Sequence, residues 1–178
     1  YIADDLGVEL KVVDMSFDNL CINLAKGDFD IVIAGMASTE ERLKSVDFSD
    51  PYFKQQQAIL IRAEDDALYN KPEDLSGHKV GVQNGTIQVP IANELAGEEN
   101  VVGLVKAQDL IMELKSGNIE ALAVAYGNAE MIVDANPDLV ICTWEFDVKA
   151  EYSANVIMMQ KGETELLDAV NAILAQAK

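Results

Sequence analysis

Histidine and cysteine are scarce in this sequence, with one His and two Cys among 178 residues. A protein metal centre needs three or four ligands at set spacings. His78, Cys21 and Cys142 do not supply them, and no metal or cofactor is expected. No motif supports a Cys–His nucleophile. Positive charge is short as well: 13 Lys and Arg stand against 31 Asp and Glu, for a net charge of -18. That balance argues against nucleic acid and against an anionic membrane surface as partners. It does not argue against a small anionic ligand, because local donors decide that. No apolar stretch approaches the roughly 20 residues of a membrane span. These residues show no signal-peptide pattern, fixed-period repeat or low-complexity tract.

What remains is ordinary globular composition, 49% apolar and 25% charged. The length permits one large domain or two small ones with a sizeable core. Apolar runs without a helical period alternate with amphipathic stretches. Strands are expected over 8–13, 29–34, 57–62, 79–83, 101–105, 119–125, 139–142 and 153–159. Helices are expected over 16–26, 39–43, 86–95, 107–115, 128–133 and 163–177. Gly27 closes the first helix, and Pro90 fits only a first turn. A polar, acidic loop fills 63–76. Strands alternating with helices imply an α/β fold of mainly parallel sheets with flanking helices. Cys21 shares an apolar helical face with Phe17, Leu20 and Leu24, and Cys142 ends a strand-like run. Both read as small buried apolar residues.

Two strand-to-helix turns stand out. The first runs from Asp30 through Gly35 to Arg42. Gly35 ends an apolar strand, Ser38 and Glu41 have capping-box spacing, and Thr39 is an alternative cap. A helix N-terminus beyond a strand favours an anion. Arg42, a cation in that first turn, is either solvent-facing or a bidentate clamp for a carboxylate. Spacing alone leaves the two level. The second turn is Gly81-Val82-Gln83-Asn84-Gly85-Thr86. Taken by itself, its Asn84-Gly85 pair reads as a plain turn.

The order of motifs from Phe17 to Tyr52 resembles the extracytoplasmic solute-binding proteins of polar amino-acid ABC importers. Those read aromatic-Asp-x-Leu, Gly-x-x-Asp, an apolar strand, Thr-x-x-Arg, then Asp-Phe-Ser-x-Pro-Tyr. The matching residues are Phe17-Asp18-Asn19-Leu20, Gly27-Asp28-Phe29-Asp30, Ile31 to Ala34, Thr39-Glu40-Glu41-Arg42 and Asp47-Phe48-Ser49-Asp50-Pro51-Tyr52. The similarity continues through the second turn to Val170-Asn171 and so covers nearly the whole chain.

The resemblance implies a two-lobed periplasmic-binding-protein-like fold. Residues 1–54 with 154–178 would form one lobe and 57–152 the other, hinged near 54–56 and 153–155. Cys21 and Cys142 then fall in different lobes, which disfavours a disulfide. Two helix N-termini would converge on one cleft. The chain opens at Tyr1 on what reads as a helix end, so an N-terminal segment is expected to precede it; in relatives such a segment carries the first strand and part of the pocket. The implied function is extracytoplasmic binding of a small carboxylate-bearing solute, an amino acid or derivative. Delivery would be to the membrane permease of an ABC importer, from the periplasm or a lipid anchor. The same fold also serves as a sensor domain of a receptor and, rarely, as a dehydratase-like enzyme. Of these, the enzyme is disfavoured, because Tyr126 and His78 are the only acid–base candidates and His78 precedes its strand at the wrong end.

Residue by residue, Arg42 resembles the carboxylate clamp, and Gly35 the position whose carbonyl accepts from an α-amino group. Ala37 stands where Ser or Thr is frequent, keeping the N–H and losing the hydroxyl. Phe17 resembles the aromatic that packs on the ligand, and it also belongs to the core face. Gly85 and Thr86 resemble the second lobe's turn and donor, with Gln83 and Gln88 lining the same region. One departure stands out. Relatives place an Asp for the ligand ammonium where this chain has Ala125, followed by Tyr126. Either the Gly35 carbonyl, the Tyr126 hydroxyl and water hold the ammonium, or the ligand has no free α-amine. Glu120 belongs to the start of that strand.

Overall fold

In the computed structural model, which describes residues 1–176, the strands are β1 (Ile31–Met36), β2 (Val46–Phe48), β3 (Phe53–Lys54), β4 (Gln57–Arg62), β5 (Val80–Gln83), β6 (Val101–Leu104), β7 (Ala121–Ala125), β8 (Leu139–Ile141) and β9 (Ala154–Gln160). The α-helices are α1 (Ile2–Leu6), α2 (Leu20–Lys26), α3 (Gln88–Ala96), α4 (Ala107–Lys115), α5 (Tyr126–Ala135) and α6 (Thr164–Gln176). The helix expected over 163–177 is α6, with Ala177 outside the described residues. The chain divides into two compact units, one of Tyr1–Lys54 with Glu151–Lys178 and one of Gln55–Ala150. Cys21 lies in the first and Cys142 in the second, both free thiols. Burial pushes the Cys142 thiol up to about 12, so it carries no thiolate at neutral pH.

In the first unit β9 pairs with β1, β2 and, at its start, β3. Its centre, Ile157-Met158-Met159, is apolar without alternation because helices cover both faces. Met158 packs with Leu24 of α2 and with Val32, Met36 and Val46. Ile157 and Met159 pack with Val170 of α6 and Ile2 of α1. In the second unit the strand order is β6-β5-β7-β4-β8. One face packs Ile59, Ile61, Val80, Val82, Ala121 and Ala123 against Ala92 and Ala96 of α3. The other packs Ala58, Leu60 and Leu122 against α4 and α5 through Leu110, Leu114 and Ala129. Gly81 permits that approach: a Cβ there would meet Ile119 Cδ1 at 2.5 Å and Leu110 Cδ2 at 3.0 Å.

Three expectations need correction. The α/β class holds, but among the described residues parallel pairing is confined to β5–β6 and β5–β7, while β4–β7, β4–β8 and every pair of β9 are antiparallel. Parallel neighbours need a helical crossover between them. The segments from β5 to β7 provide it through α3 and α4, whereas β9 enters its sheet only after the chain has built the other unit. The strand expected over 8–13 is absent, and Val8, Leu10, Val12 and Val13 are exposed. Apolar alternation marks which side chains could face a core, but a strand also needs a neighbour for its N–H and C=O groups. Among the described residues that segment has none. Finally, the helix expected over 39–43 shrinks to a 3-10 turn, Arg42–Lys44, because the chain re-enters the sheet at Val46.

Candidate functional site

β1 ends irregularly. Val32 pairs with Met158 and Met36 with Val156, so four steps on β1 face two on β9 and the intervening residues bulge. Gly35 lies in this bulge at φ +62°, in the left-handed region where only glycine is unstrained. Burial pushes the Tyr52 phenol up, while a hydrogen bond from the Gly35 backbone opposes the rise. The Asn155 side chain lies over the glycine; an added Cβ would stand 3.8 Å from its Nδ2. Asn155 Oδ1 is buried without a partner.

Arg42 folds back towards the same bulge. Its Nη1 donates to the Ala37 carbonyl at 2.7 Å, and its Cζ lies 5.8 Å from the centre of the Phe17 ring. At the start of the turn that carries it, Thr39 Oγ1 accepts the Arg42 N–H at 3.2 Å. The Ser38–Glu41 box gives way to this alternative, and a three-residue turn has no macrodipole of consequence. The anion-binding argument therefore moves from helix dipole to side chain. Arg42 is half-buried, and burial pulls its pKa below the ordinary value while Cys21, Glu41 and Tyr152 oppose the shift. It remains a cation. A partly desolvated guanidinium held between an aromatic face and a carbonyl is well placed for a carboxylate. Phe17 serves both of its readings, since it packs with Leu20 and Cys21 on the α2 core and lies against Arg42.

In the second unit the turn after β5 closes on itself. The Thr86 hydroxyl donates to the Gln83 carbonyl at 2.7 Å and the Thr86 N–H does so at 3.3 Å. Gly85 takes φ +76°. Because Thr86 completes this turn, α3 begins two residues later than expected, at Gln88. Gln83 donates its amide to the Val105 carbonyl at 3.0 Å, so that donor is engaged in tying β5 to the segment before α4. Gln88 is buried and donates to Gln57 Oε1. Ala125 closes β7 opposite Gln57, and Tyr126, 38% exposed, opens α5. Glu120 accepts the Lys79 N–H at 2.7 Å just before β7, and His78 stacks edge-on with Tyr69.

Residues 1–178 match the family described as bacterial extracellular solute-binding proteins, family 3. The chain belongs to this family. It is 34% identical to the arginine-binding extracellular protein ArtP of Bacillus subtilis (strain 168), covering 98% of this chain and 68% of that protein. It is 33% identical to a probable histidine-binding protein of Campylobacter jejuni, covering 82% of this chain and 56% of the relative. The chain thus spans about half to two thirds of these relatives' length. Among solved structures, the amino acid ABC transporter substrate-binding protein AbpA from Streptococcus pneumoniae, bound to L-arginine, superposes with a TM-score of 0.92. It is 36% identical over 98% of this chain and 73% of its own.

In this family 3 protein the Asp47 to Tyr52 stretch acts as scaffold. The Ser49 hydroxyl oxygen accepts the Ile157 N–H at 2.9 Å, and the Asp50 N–H donates to Asn171 Oδ1 at 2.8 Å. The Gly162 N–H and the Lys161 ammonium bond the Asp47 carboxylate and hold its pKa below the usual range. These ties set Tyr52 beside Gly35. Sequence reasoning missed Tyr52, Asn155, Tyr152 and Gln57 as neighbours of the candidate residues. Tyr52 closes the Asp47 to Tyr52 motif, and Gln57 carried a signal of its own as a polar residue opening an otherwise apolar strand.

Proposed function

We propose that the protein binds a small amino acid or amino-acid derivative through its carboxylate and delivers it to the permease of an ABC importer. The observation that supports this most is the Arg42 guanidinium, half-buried, stacked on Phe17 and aimed by the Ala37 carbonyl. Relatives are named for arginine, histidine, glutamine and cystine. Those molecules differ in their side chains and share an α-carboxylate, and the positive charge of Arg42 suits that shared group. The exposed bulge at Gly35 offers backbone to an α-ammonium. The chain passes between the units only near Lys54–Gln55 and Ala150–Glu151, and we take these crossings as the hinge. A ligand closes such a hinge only by binding the closed state more tightly.

The test is calorimetry with a panel of free L-amino acids and their α-carboxamides, guided by native mass spectrometry for any retained molecule. At least one amino acid is expected to bind and its α-amide to bind at least tenfold more weakly. Equal binding of acid and amide would remove the carboxylate clamp.

A further inference from the structure

Away from the candidate residues, the second unit carries a groove that encloses a cavity of about 410 Å³. Three separate segments build it: the turn at Pro72, one side of α3, and residues 145–147. Ile91 and Leu95 lie one turn apart on α3, next to Ala92 and Ala96, which pack on the sheet. Ile91 is buried, and Pro72, Leu95 and Phe146 are half-buried, so these side chains make the floor. Glu73, Glu94, Glu145 and Asp147 are exposed and make the rim. Phe146 is anchored: it packs against the core under α3, and Trp144 meets its ring edge-on at 5.8 Å. The Trp144 indole N–H in turn donates to the Tyr69 carbonyl at 3.0 Å.

None of the four rim carboxylates stands in an ion pair among the described residues. Lys71 and Lys149 flank two of the segments in sequence, but neither lines the groove. The carboxylates do not converge either: among the described residues no group of three acidic, His or Cys side chains is placed to hold a metal ion. Negative charge spread around an apolar floor suits an occupant whose positive charges are spaced along a chain, with an apolar body between them. Arg and Lys side chains meet this description, because their aliphatic stems lie on apolar surface while their heads reach outward to carboxylates. An Arg head can also stack on the Phe146 ring. The net charge of -18 and a rim of one sign turn away a second copy of this chain, nucleic acid and anionic lipid.

We propose that this groove docks a basic segment of a partner protein. The segment lies extended, with an apolar side chain on the floor of Ile91, Leu95 and Phe146. Arg or Lys on either side of that residue meets the rim carboxylates.

Trp144 is the sole tryptophan, so its emission reports on the groove directly. The probe is the blocked peptide Arg-Ser-Leu-Ser-Arg, which when extended turns its leucine and both arginines to one side. Titration should give a saturable change in Trp144 emission that weakens with added salt. The neutral peptide Gln-Ser-Leu-Ser-Gln should give none. Removing two rim charges, Glu94→Gln with Glu145→Gln, should weaken the basic peptide by about fivefold to tenfold. Glu130→Gln with Asp134→Asn changes the net charge equally at exposed positions of α5, on the other face of the sheet. That pair should cost about twofold at most. Phe146→Ala should weaken the peptide by about tenfold. The proposal is overturned by no saturable change on the unsubstituted protein, by equal losses for the two charge pairs, or by equal binding of the neutral peptide. Spermidine binding as tightly as the peptide overturns it too, because a small polycation would then suffice. If Phe146→Ala does not fold, the two charge pairs decide.

Discussion

The turns after β1 and β5 occupy like places in the two units yet present their donors differently. After β1 there is no helix, only a bulge and a 3-10 turn, and the donor is one charged side chain, Arg42, held by Ala37 and Phe17. After β5 there is a closed turn leading to α3, and the polar groups are neutral: Thr86, Gln88 and Gln57. The first arrangement suits a group that all amino acids share, because charge recognises charge with little regard for the rest of the ligand. The second suits discrimination, because neutral amides reward only a group with matching donors and acceptors. A binding protein that must accept one solute among many needs both. If both turns bind ligand, the first would set strength of binding and the second the choice of side chain.

The largest effect expected from breaking this division is at Arg42. Arg42→Ala should weaken every bound amino acid by on the order of 3 kcal/mol, a little over a hundredfold in Kd, whatever its side chain. The thermal midpoint without ligand should move far less. Calorimetry across the panel checks this, and a loss confined to one side-chain class would contradict the division. Ala125→Asp should do the opposite kind of thing. A carboxylate beside Gln57 is expected to favour amine-bearing and cationic ligands over des-amino or neutral ones by about 1.5–3 kcal/mol, tenfold or more. The comparison needed is an amino acid and its des-amino analogue on both proteins. No gain for the amine in a folded mutant would mean that Ala125 does not face the ligand.

The smallest effect concerns the scaffold of the first unit and depends on pH. Asp47 has its folded pKa depressed by the Gly162 N–H and by Lys161. Its contribution is therefore complete above the unfolded value near 4 and is lost as pH falls through the folded value. Asp47→Asn should cost no more than about 1 kcal/mol at neutral pH, because the pair is partly solvated. The difference from the unsubstituted protein should vanish in acid. Denaturant melts at neutral and low pH measure it; a constant difference would show that charge is not what ties β2 to the end of β9.

Residue patterning alone determined much of this protein. The apolar runs at 57–62 and 107–115 became β4 and α4 with the expected bounds, because hydrophobic period and local propensity act over one element at a time. The order of motifs from Phe17 to Tyr52 determined the family, since each motif answers a local requirement that residue types can meet. Tertiary structure decided the rest. Whether 8–13 becomes a strand depends on a neighbour's hydrogen bonds, and strand direction depends on how the chain returns. The bulge that exposes Gly35 depends on the register of β1 against β9. Gln57 shows the limit most clearly. In sequence it opens an apolar strand, and its partner Gln88 lies beyond the whole of β5; only the packing of α3 over the sheet brings the two amides together.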